Sequence, residues 1–236
     1  MNIIIKNTTF QIGQDKSDNK TFKIFFNGYN EALIKSITKT KIIMGATTTE
    51  KFNTLTFKAF SVKTFIEYQE DLEKETGEKK MKYEYALRMT QNLASQLNYL
   101  ITHFSKTFLG YSLENLLVID NSKYIYLSNE YLLDIEDEEV MITFPFRHND
   151  FLMSPELLHI KDIPSFINYK VSYFSFGYLL LSVILGDDIL IEKNETTEYE
   201  NLRLCMETIR IKNTKLYWLI KRCLVEDPKN RSIVFI

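Results

Sequence analysis

The chain has 236 residues, of which 45% are hydrophobic and 25% are charged, and its net charge is only −2. This length suits one large domain or two small lobes, and the composition allows a sizeable buried core. A charge so close to neutral argues against extensive nucleic-acid binding. The two cysteines, Cys205 and Cys223, form neither a CxxC pair nor a His/Cys cluster at zinc spacing. We therefore expect no metal site and a reducing intracellular compartment, the cytoplasm or the nucleus.

Two hydrophobic segments bear on membrane association. The N-terminal apolar run is too short for a signal peptide and is followed by no small-residue cleavage site. The longest uncharged run, Val171–Gly186, is shorter than the ~20 residues that span a bilayer. A buried helix is the better prediction for it, and no membrane partner is expected.

Residues 1–60 are dominated by β-branched and aromatic runs of strand length. These runs are Asn2–Ile12, Thr21–Phe26, Ala32–Ile37, Lys41–Met44 and Leu55–Phe60. Asn27-Gly28 lies between two of them and predicts a hairpin turn. The sequence thus predicts a β-rich first region without a helix.

Helical patterns dominate after residue 60. Thr64 and Glu67 form a capping box that opens a helix ending near Gly77. Apolar residues at helical spacing predict a second helix from about Tyr83 to Phe104. Two predicted strands, Leu116–Ile119 and Tyr124–Leu127, then flank a turn, and residues 129–165 have no regular pattern. Three further helices are predicted, at about 171–185, 197–210 and 214–225.

Five segments in order resemble the motifs of protein kinases. The first, 108–118 (FLGYSLENLLV), resembles the catalytic loop HRDLKPENLLV, most closely from Glu114 onward. The others are 125–129 (IYLSN), like the strand that leads into DFG; 154–158 (SPELL), like the APE motif; 172–177 (SYFSFG), like DVWSFG; and 223–231 (CLVEDPKNR), like the closing DP..R signature. The resemblance covers roughly residues 20–234.

The resemblance implies an α+β, protein-kinase-like two-lobed fold. Its N-terminal lobe, residues 1–60, would be reduced, mainly β and without the usual helix, and its C-terminal lobe, residues 61–236, would be mainly α. The family's APE glutamate pairs with the arginine after the DP, which implies an ion pair between Glu156 and Arg231, beside Asp227. Ser172 replaces the aspartate that holds the catalytic-loop backbone in the family.

The groups that phosphoryl transfer requires are missing at the matching positions. Phe108, Leu109 and Gly110 replace the His-Arg-Asp of the catalytic loop, so the catalytic aspartate is a glycine. Asn129 replaces the metal-binding aspartate of DFG, and an amide is a poor Mg²⁺ ligand beside a carboxylate. Residues 1–30 also lack a glycine-rich loop. Phe108 and Phe174 are plain hydrophobes where the family has polar or indole side chains, so we expect the former active centre to be partly filled with apolar side chains.

Two positions resemble remnants of a nucleotide site. Lys35, in the run EALIK, is either the phosphate-binding lysine of a strand or an exposed strand lysine. Asn115 is either a metal-binding remnant or an asparagine that stabilises a turn. The resemblance therefore implies no cofactor but leaves weak ATP binding open.

The resulting expectation is a pseudokinase that acts as a scaffold or allosteric regulator through protein partners of unknown identity, with no enzymatic activity. The alternatives are a nucleotide-binding switch without phosphotransfer and an atypical active kinase. The last would need a relocated carboxylate from Glu114, Asp120 or Glu130.

Two further features have open interpretations. The acidic run Asp134–Glu139 is either a docking element for a basic partner or a solvated loop. Trp218 is either an interface anchor, together with Tyr217, or a core residue, and core packing is the expected use.

Overall fold

A computed structural model describes residues 1–147, 152–186 and 195–234, without the side chains of residues 195–200. The fold is mixed α and β. The strands are β1 Asn2–Lys6, β2 Phe10–Gln14, β3 Thr21–Phe26, β4 Thr47–Thr48, β5 Thr54–Lys58, β6 Val62–Thr64, β7 Lys106–Phe108, β8 Leu116–Ile119, β9 Lys123–Tyr126, β10 Leu132–Asp134, β11 Glu139–Ile142 and β12 Ser165–Asn168. The helices are α1 Glu31–Thr38, α2 Phe65–Thr76, α3 Tyr83–Phe104, α4 Pro155–Leu158, α5 Val171–Leu185, α6 Glu195–Thr208 and α7 Lys215–Cys223.

The first region forms a five-stranded antiparallel sheet in the order β1-β2-β3-β5-β4. Alternation along β3 places Phe22, Ile24 and Phe26 on the buried face of the sheet, as the period of two requires. The predicted strand at Thr21–Phe26 is confirmed. The run at residues 2–12 is instead divided between β1 and β2 by a turn at residues 7–9.

The prediction of a first region without a helix is wrong, because the run Ala32–Ile37 lies in helix α1. Its β-branched content favoured a strand, but a strand would bury alternate residues. Leu33, Ile34 and Ile37 are all fully buried, which is the spacing of a helix face. Tertiary packing of α1 against α3 thus overrides local propensity.

The predicted hairpin at residues 27–28 and the predicted strand at residues 41–44 are also wrong. Gly28 has a positive φ of 91° and does form a turn, but the chain then enters α1 rather than a second strand of a hairpin. Residues 41–44, predicted as a strand, form turns after the end of α1. Ile42 and Ile43 are nevertheless buried, so their apolar character reflects core packing.

The helices that follow agree with the sequence. The capping box of Thr64 and Glu67 is present at the start of α2, and Gly77 ends that helix with a φ of 78°. Helix α3 has the predicted bounds, and its buried face includes Leu93, Leu97 and Leu100. Helix α5 also has the predicted bounds and is buried on most of its surface. Within the described residues no helix is long and apolar enough to cross a membrane.

A three-stranded sheet, β6-β8-β9, lies within the second region of the chain and includes its first strand. The predicted turn after β8 is confirmed, with Asp120 and Asn121 both at positive φ. The segment after β9, predicted to be irregular, contains regular pairs: β10 pairs with β7, and β11 pairs with β12. These short strands have too few residues for a clear period in the sequence.

Candidate functional site

The candidate site is centred on residues 108–115, which we call the Gly110 loop. The loop begins at the end of β7 and leads through a short 3₁₀ helix, Leu113–Asn115, into β8. Phe108 and Leu109 are fully buried, and Gly110 is buried between them and Tyr111. Residues 108–110 therefore all lie in the protein interior.

Four aromatic side chains enclose the loop: Phe108, Tyr111, Tyr126 and Phe176. The Phe108 ring lies 4.8 Å from the Tyr126 ring, edge to face, and 5.7 Å from the Tyr111 ring. Tyr111 in turn lies 4.7 Å from Tyr126 and 5.8 Å from Phe176. Such ring pairs stabilise a core beyond the area they bury. Aromatic side chains thus surround Gly110.

Tyr126 fixes the backbone of the Gly110 loop through its hydroxyl. The hydroxyl donates a hydrogen bond to the Gly110 carbonyl at 3.0 Å and accepts one from the Ser112 N–H at 3.1 Å. Burial raises the pKa of Tyr126 well above its ordinary value, so the phenol stays protonated and can donate. The Gln96 side-chain amide bonds the Tyr126 N–H and carbonyl, at 3.0 and 2.8 Å, and thereby anchors this residue to α3.

Helix α5 holds the loop through a serine that the sequence comparison did not select. The Ser175 hydroxyl accepts a hydrogen bond from the Tyr111 N–H at 2.8 Å. Ser172 instead accepts from the Thr107 hydroxyl at 2.8 Å and donates to the Tyr169 carbonyl at 3.1 Å. Ser175 follows Ser172 by one turn in a helix without charged residues, and this spacing was the available signal for it.

Leu109 points into a second hydrophobic cluster. Its members are Leu109, Val140, Ile142, Met153, Leu157, Ile167 and Val171. The Leu109 N–H also donates to the Tyr131 carbonyl at 2.8 Å. In the resembled motif this position is an arginine that holds a phosphorylated segment. Here apolar packing attaches the β11–β12 pair and α4 to the Gly110 loop without a charge.

Asn115 is linked directly to the turn between β1 and β2. Its side-chain oxygen accepts hydrogen bonds from the Asn7 amide at 3.1 Å and from the Thr9 hydroxyl at 3.3 Å. The Asn7 oxygen shapes the same turn, since it accepts from the N–H groups of Thr9 and Phe10. The Asn115 carbonyl accepts from the Leu127 N–H at 2.9 Å. Asn115 therefore joins the first sheet to the Gly110 loop.

Lys35 does not lie on a strand. It lies on α1, where its ammonium forms an ion pair with Glu31 one turn earlier. The hydrogen bond from Lys35 is the main cause of the lowered pKa of Glu31. The same ammonium lies 5.3 Å from the Phe52 ring centroid and 6.0 Å from that of Phe104. Among lysines on strands, Lys23 of β3 is half-buried and was not selected from the sequence.

The remaining polar candidates have separate structural settings. Asn129 is half-buried and begins the turn before β10, where its carbonyl accepts from the Leu132 N–H. Glu114 and Glu130 are exposed. Asp120 accepts hydrogen bonds from the backbone N–H groups of Phe60 and Ser61, at 2.7 and 3.2 Å.

Asp120 thereby clamps the segment that connects the two regions. Partial burial opposes its ionisation, but the two backbone hydrogen bonds and Lys123 lower the pKa of its carboxyl overall. Oδ1 thus accepts from the connecting segment and Oδ2 accepts from Lys123, so both oxygens of Asp120 have partners.

The structure brings Glu156 and Arg231 together. Both terminal nitrogens of Arg231 donate to the two oxygens of Glu156, one of them at 2.8 Å. The Arg231 side chain is fully buried and also donates to the carbonyls of Val225 and Glu226, at 2.7 and 2.8 Å. Its guanidinium lies 4.9 Å from the Phe174 ring centroid. A longer hydrogen bond to the Lys170 carbonyl, at 3.4 Å, uses the fifth N–H of the guanidinium, so all five donors of the buried cation have acceptors.

Asp227 has a local role beside this pair. Its carboxylate accepts from the Lys229 N–H at 3.0 Å and from the Asn230 amide at 2.9 Å, and so caps the short 3₁₀ helix Pro228–Asn230. This cap sets the direction in which the chain enters Arg231.

Within the described residues no three His, Cys, Asp or Glu side chains are placed to hold a metal ion. The acidic run Asp134–Glu139 contributes to β10 and to a tight turn, and Asp134 forms an ion pair with Lys106. Comparison with protein-family models and with curated proteins yields no match.

Proposed function

We propose that the chain is a catalytically inactive, protein-kinase-like domain that acts inside the cell as a scaffold or allosteric regulator through protein–protein binding. The order of elements supports a two-lobed arrangement: an antiparallel sheet with one helix, then a mainly helical region that begins with α2. Because α1 lies between β3 and β4, the proposed small lobe keeps a helix. It is less reduced than the sequence suggested.

The contact between Asn115 and residues 7–9 is the observation that carries this proposal. In the proposed alignment the β1–β2 turn takes the place of the glycine-rich loop, and Asn115 takes the place of a metal ligand. Phosphates and Mg²⁺ would have to lie between these two elements. Direct hydrogen bonds of 3.1 and 3.3 Å leave no room for them there.

The surroundings of Gly110 support the same conclusion. A catalytic base must reach the substrate hydroxyl, but here a glycine is enclosed by Phe108, Tyr111 and Tyr126. Catalytic groups that act as a unit depend on one another, so the loss of one removes most of the rate. With both the base and the metal ligand absent, no phosphotransfer is expected. The helical region retains the Glu156–Arg231 pair, which serves architecture rather than chemistry.

A phosphotransfer assay tests the proposal. Purified protein is incubated with radiolabelled ATP and Mg²⁺, alone and with a generic protein substrate, and the expected result is no label above a heat-denatured control. Label on the protein or the substrate that is abolished by Asn115→Ala would overturn the proposal, since Asn115 lies at the proposed position of a metal ligand.

A nucleotide-binding switch is the second candidate, favoured by Lys23 on a central strand of the sheet. The Asn115 contact consists of two neutral hydrogen bonds, each worth about 1 kcal/mol net, and tight nucleotide binding would be sufficient to replace them. A thermal-shift titration with ATP and Mg²⁺ separates the candidates. The inactive scaffold predicts no shift, whereas the switch predicts a saturable shift that is lost in Lys23→Ala.

A further inference from the structure

Helix α7 and the turn before it carry an exposed basic surface with an aromatic centre. We call it the α7 face, and its members are Arg210, Lys212, Lys215, Trp218, Lys221 and Arg222. All six side chains are exposed. Trp218, the only tryptophan of the chain, has half of its surface exposed, so the expected core packing is wrong.

The spacing on α7 places the side chains of this face that belong to the helix on one side. Lys215, Trp218 and Arg222 lie at positions i, i+3 and i+7 and so project together. The opposite side buries Leu216, Leu219, Ile220 and Cys223 against the core. Those apolar residues provide the packing of α7 against the core, so the exposed tryptophan is not needed for it.

The charge of this face is uncompensated within the part of the chain that the structure describes. From residue 208 to residue 225 the sequence has five cations and no acid. None of the five forms an ion pair with a described carboxylate. The Lys221 ammonium instead lies 5.2 Å from the Trp218 ring, and the Tyr217 ring lies edge-on at 5.4 Å.

We infer that the α7 face docks an acidic segment of a partner protein that carries an apolar side chain. Trp and Arg at the centre of a surface are the side chains that most often dominate protein–protein binding energy. The five cations would complement carboxylates of the partner, and the Trp218 ring would cover its apolar side chain. This inference deepens the proposed scaffold role, but it rests on α7 alone and does not require the kinase resemblance.

The boundaries of the face favour a short protein segment over a nucleic acid. Exposed acids lie at both ends, Glu207 before it and Glu226 and Asp227 after it. A polynucleotide extending beyond the face would meet these charges, and a chain of net charge −2 gives it no wider attraction. A short acidic segment fits between them.

Trp218 provides a direct reporter for the test, because it is the single tryptophan of the intact chain. Tryptophan fluorescence is followed while the protein is titrated with a synthetic peptide of alternating glutamate and leucine. The expected result is a saturable change in emission that weakens with added salt. Single-stranded RNA and vesicles containing phosphatidylserine are titrated in parallel, and no saturable change is expected from either.

Charge reversal identifies the surface. The variant Lys215→Glu/Lys221→Glu/Arg222→Glu is expected to weaken peptide binding by at least about tenfold. The matched control Lys16→Glu/Lys39→Glu/Lys51→Glu alters three exposed lysines of the first region by the same charge and should bind as the unaltered protein does. Far-UV circular dichroism establishes that both variants are folded.

The inference would be overturned by no fluorescence change with the peptide, by a change produced by RNA or vesicles alone, or by equal weakening in the control variant. If the emission of the protein alone changed with protein concentration, the face would be assigned to self-association, and the inference would be overturned as well. None of these results depends on ATP, so the inference and the proposed function can fail separately.

Discussion

The Arg231 contact and the Gly110 loop are both fixed beside helix α5, yet by opposite chemistry. Arg231 is a buried cation whose nitrogens are satisfied by Glu156 and backbone carbonyls. The Gly110 loop is held by aromatic packing and by neutral donors and acceptors from Tyr126 and Ser175. The comparison shows two ways of fixing a chain segment beside one helix: a buried charge that is fully paired and hydrogen-bonded, and a glycine loop that is held by packing and neutral hydrogen bonds.

The largest effect is expected at Arg231. Replacing it by methionine leaves Glu156 without its buried partner, and breaking a buried pair in this way costs about 3–5 kcal/mol. Chemical denaturation of Arg231→Met against the unaltered protein measures the loss. The double variant Arg231→Met/Glu156→Leu should recover part of it, because it removes the orphaned carboxylate as well. Equal stability of Arg231→Met and the unaltered protein would contradict a stabilising role for the buried pair.

The next effect concerns the two buried tyrosines of the aromatic cluster. Tyr126→Phe removes the hydroxyl that serves both Gly110 and Ser112, and leaving those groups unsatisfied costs about 1–3 kcal/mol. Tyr111→Phe is the matched control, since within the described residues its buried hydroxyl has no hydrogen-bond partner. We expect that variant to be neutral or slightly stabilising in the same denaturation experiment. If both variants were equally destabilised, packing rather than hydrogen bonding would hold the loop.

Ser175→Ala tests whether α5 holds the loop backbone. The substitution leaves the buried N–H of Tyr111 without its acceptor, at a cost of about 1–2 kcal/mol. Ser182→Ala on the same helix is the control, because Ser182 donates only to the carbonyl of Leu179 within α5. Hydrogen exchange of the Tyr111 amide should accelerate in the first variant alone. Unchanged exchange in Ser175→Ala would refute the assignment.

The smallest effect is expected at Asp120, and it depends on pH. The folded protein lowers the pKa of this carboxyl, so its contribution is present above the unfolded value near 4 and is lost as the pH falls through the folded value. Asp120→Asn should therefore cost about 1 kcal/mol at pH 7 and much less near pH 3. Asparagine tolerates the φ of 53° at this turn, so the comparison isolates the charge. A pH-independent difference would contradict the role of the ionised carboxylate.

Much of the helical region could be predicted from the sequence. The bounds of α3 and α5 and the capping box of α2 were readable because caps and apolar periodicity are local signals. The Glu156–Arg231 contact followed from motif resemblance rather than from any local pattern. The partners of Ser175 and Asn115 could not be predicted, since each bond joins residues far apart in the chain.

By itself, then, the sequence determined the long helices, the capping box of α2 and the turn at Asp120. Only the tertiary structure decided that residues 31–38 form a helix, that Lys35 binds Glu31, and that Trp218 faces outward. The physical reason is the range of the interactions. Caps and periodicity act within a few residues, whereas a short β-branched segment or a single aromatic takes its conformation and exposure from whatever packs against it.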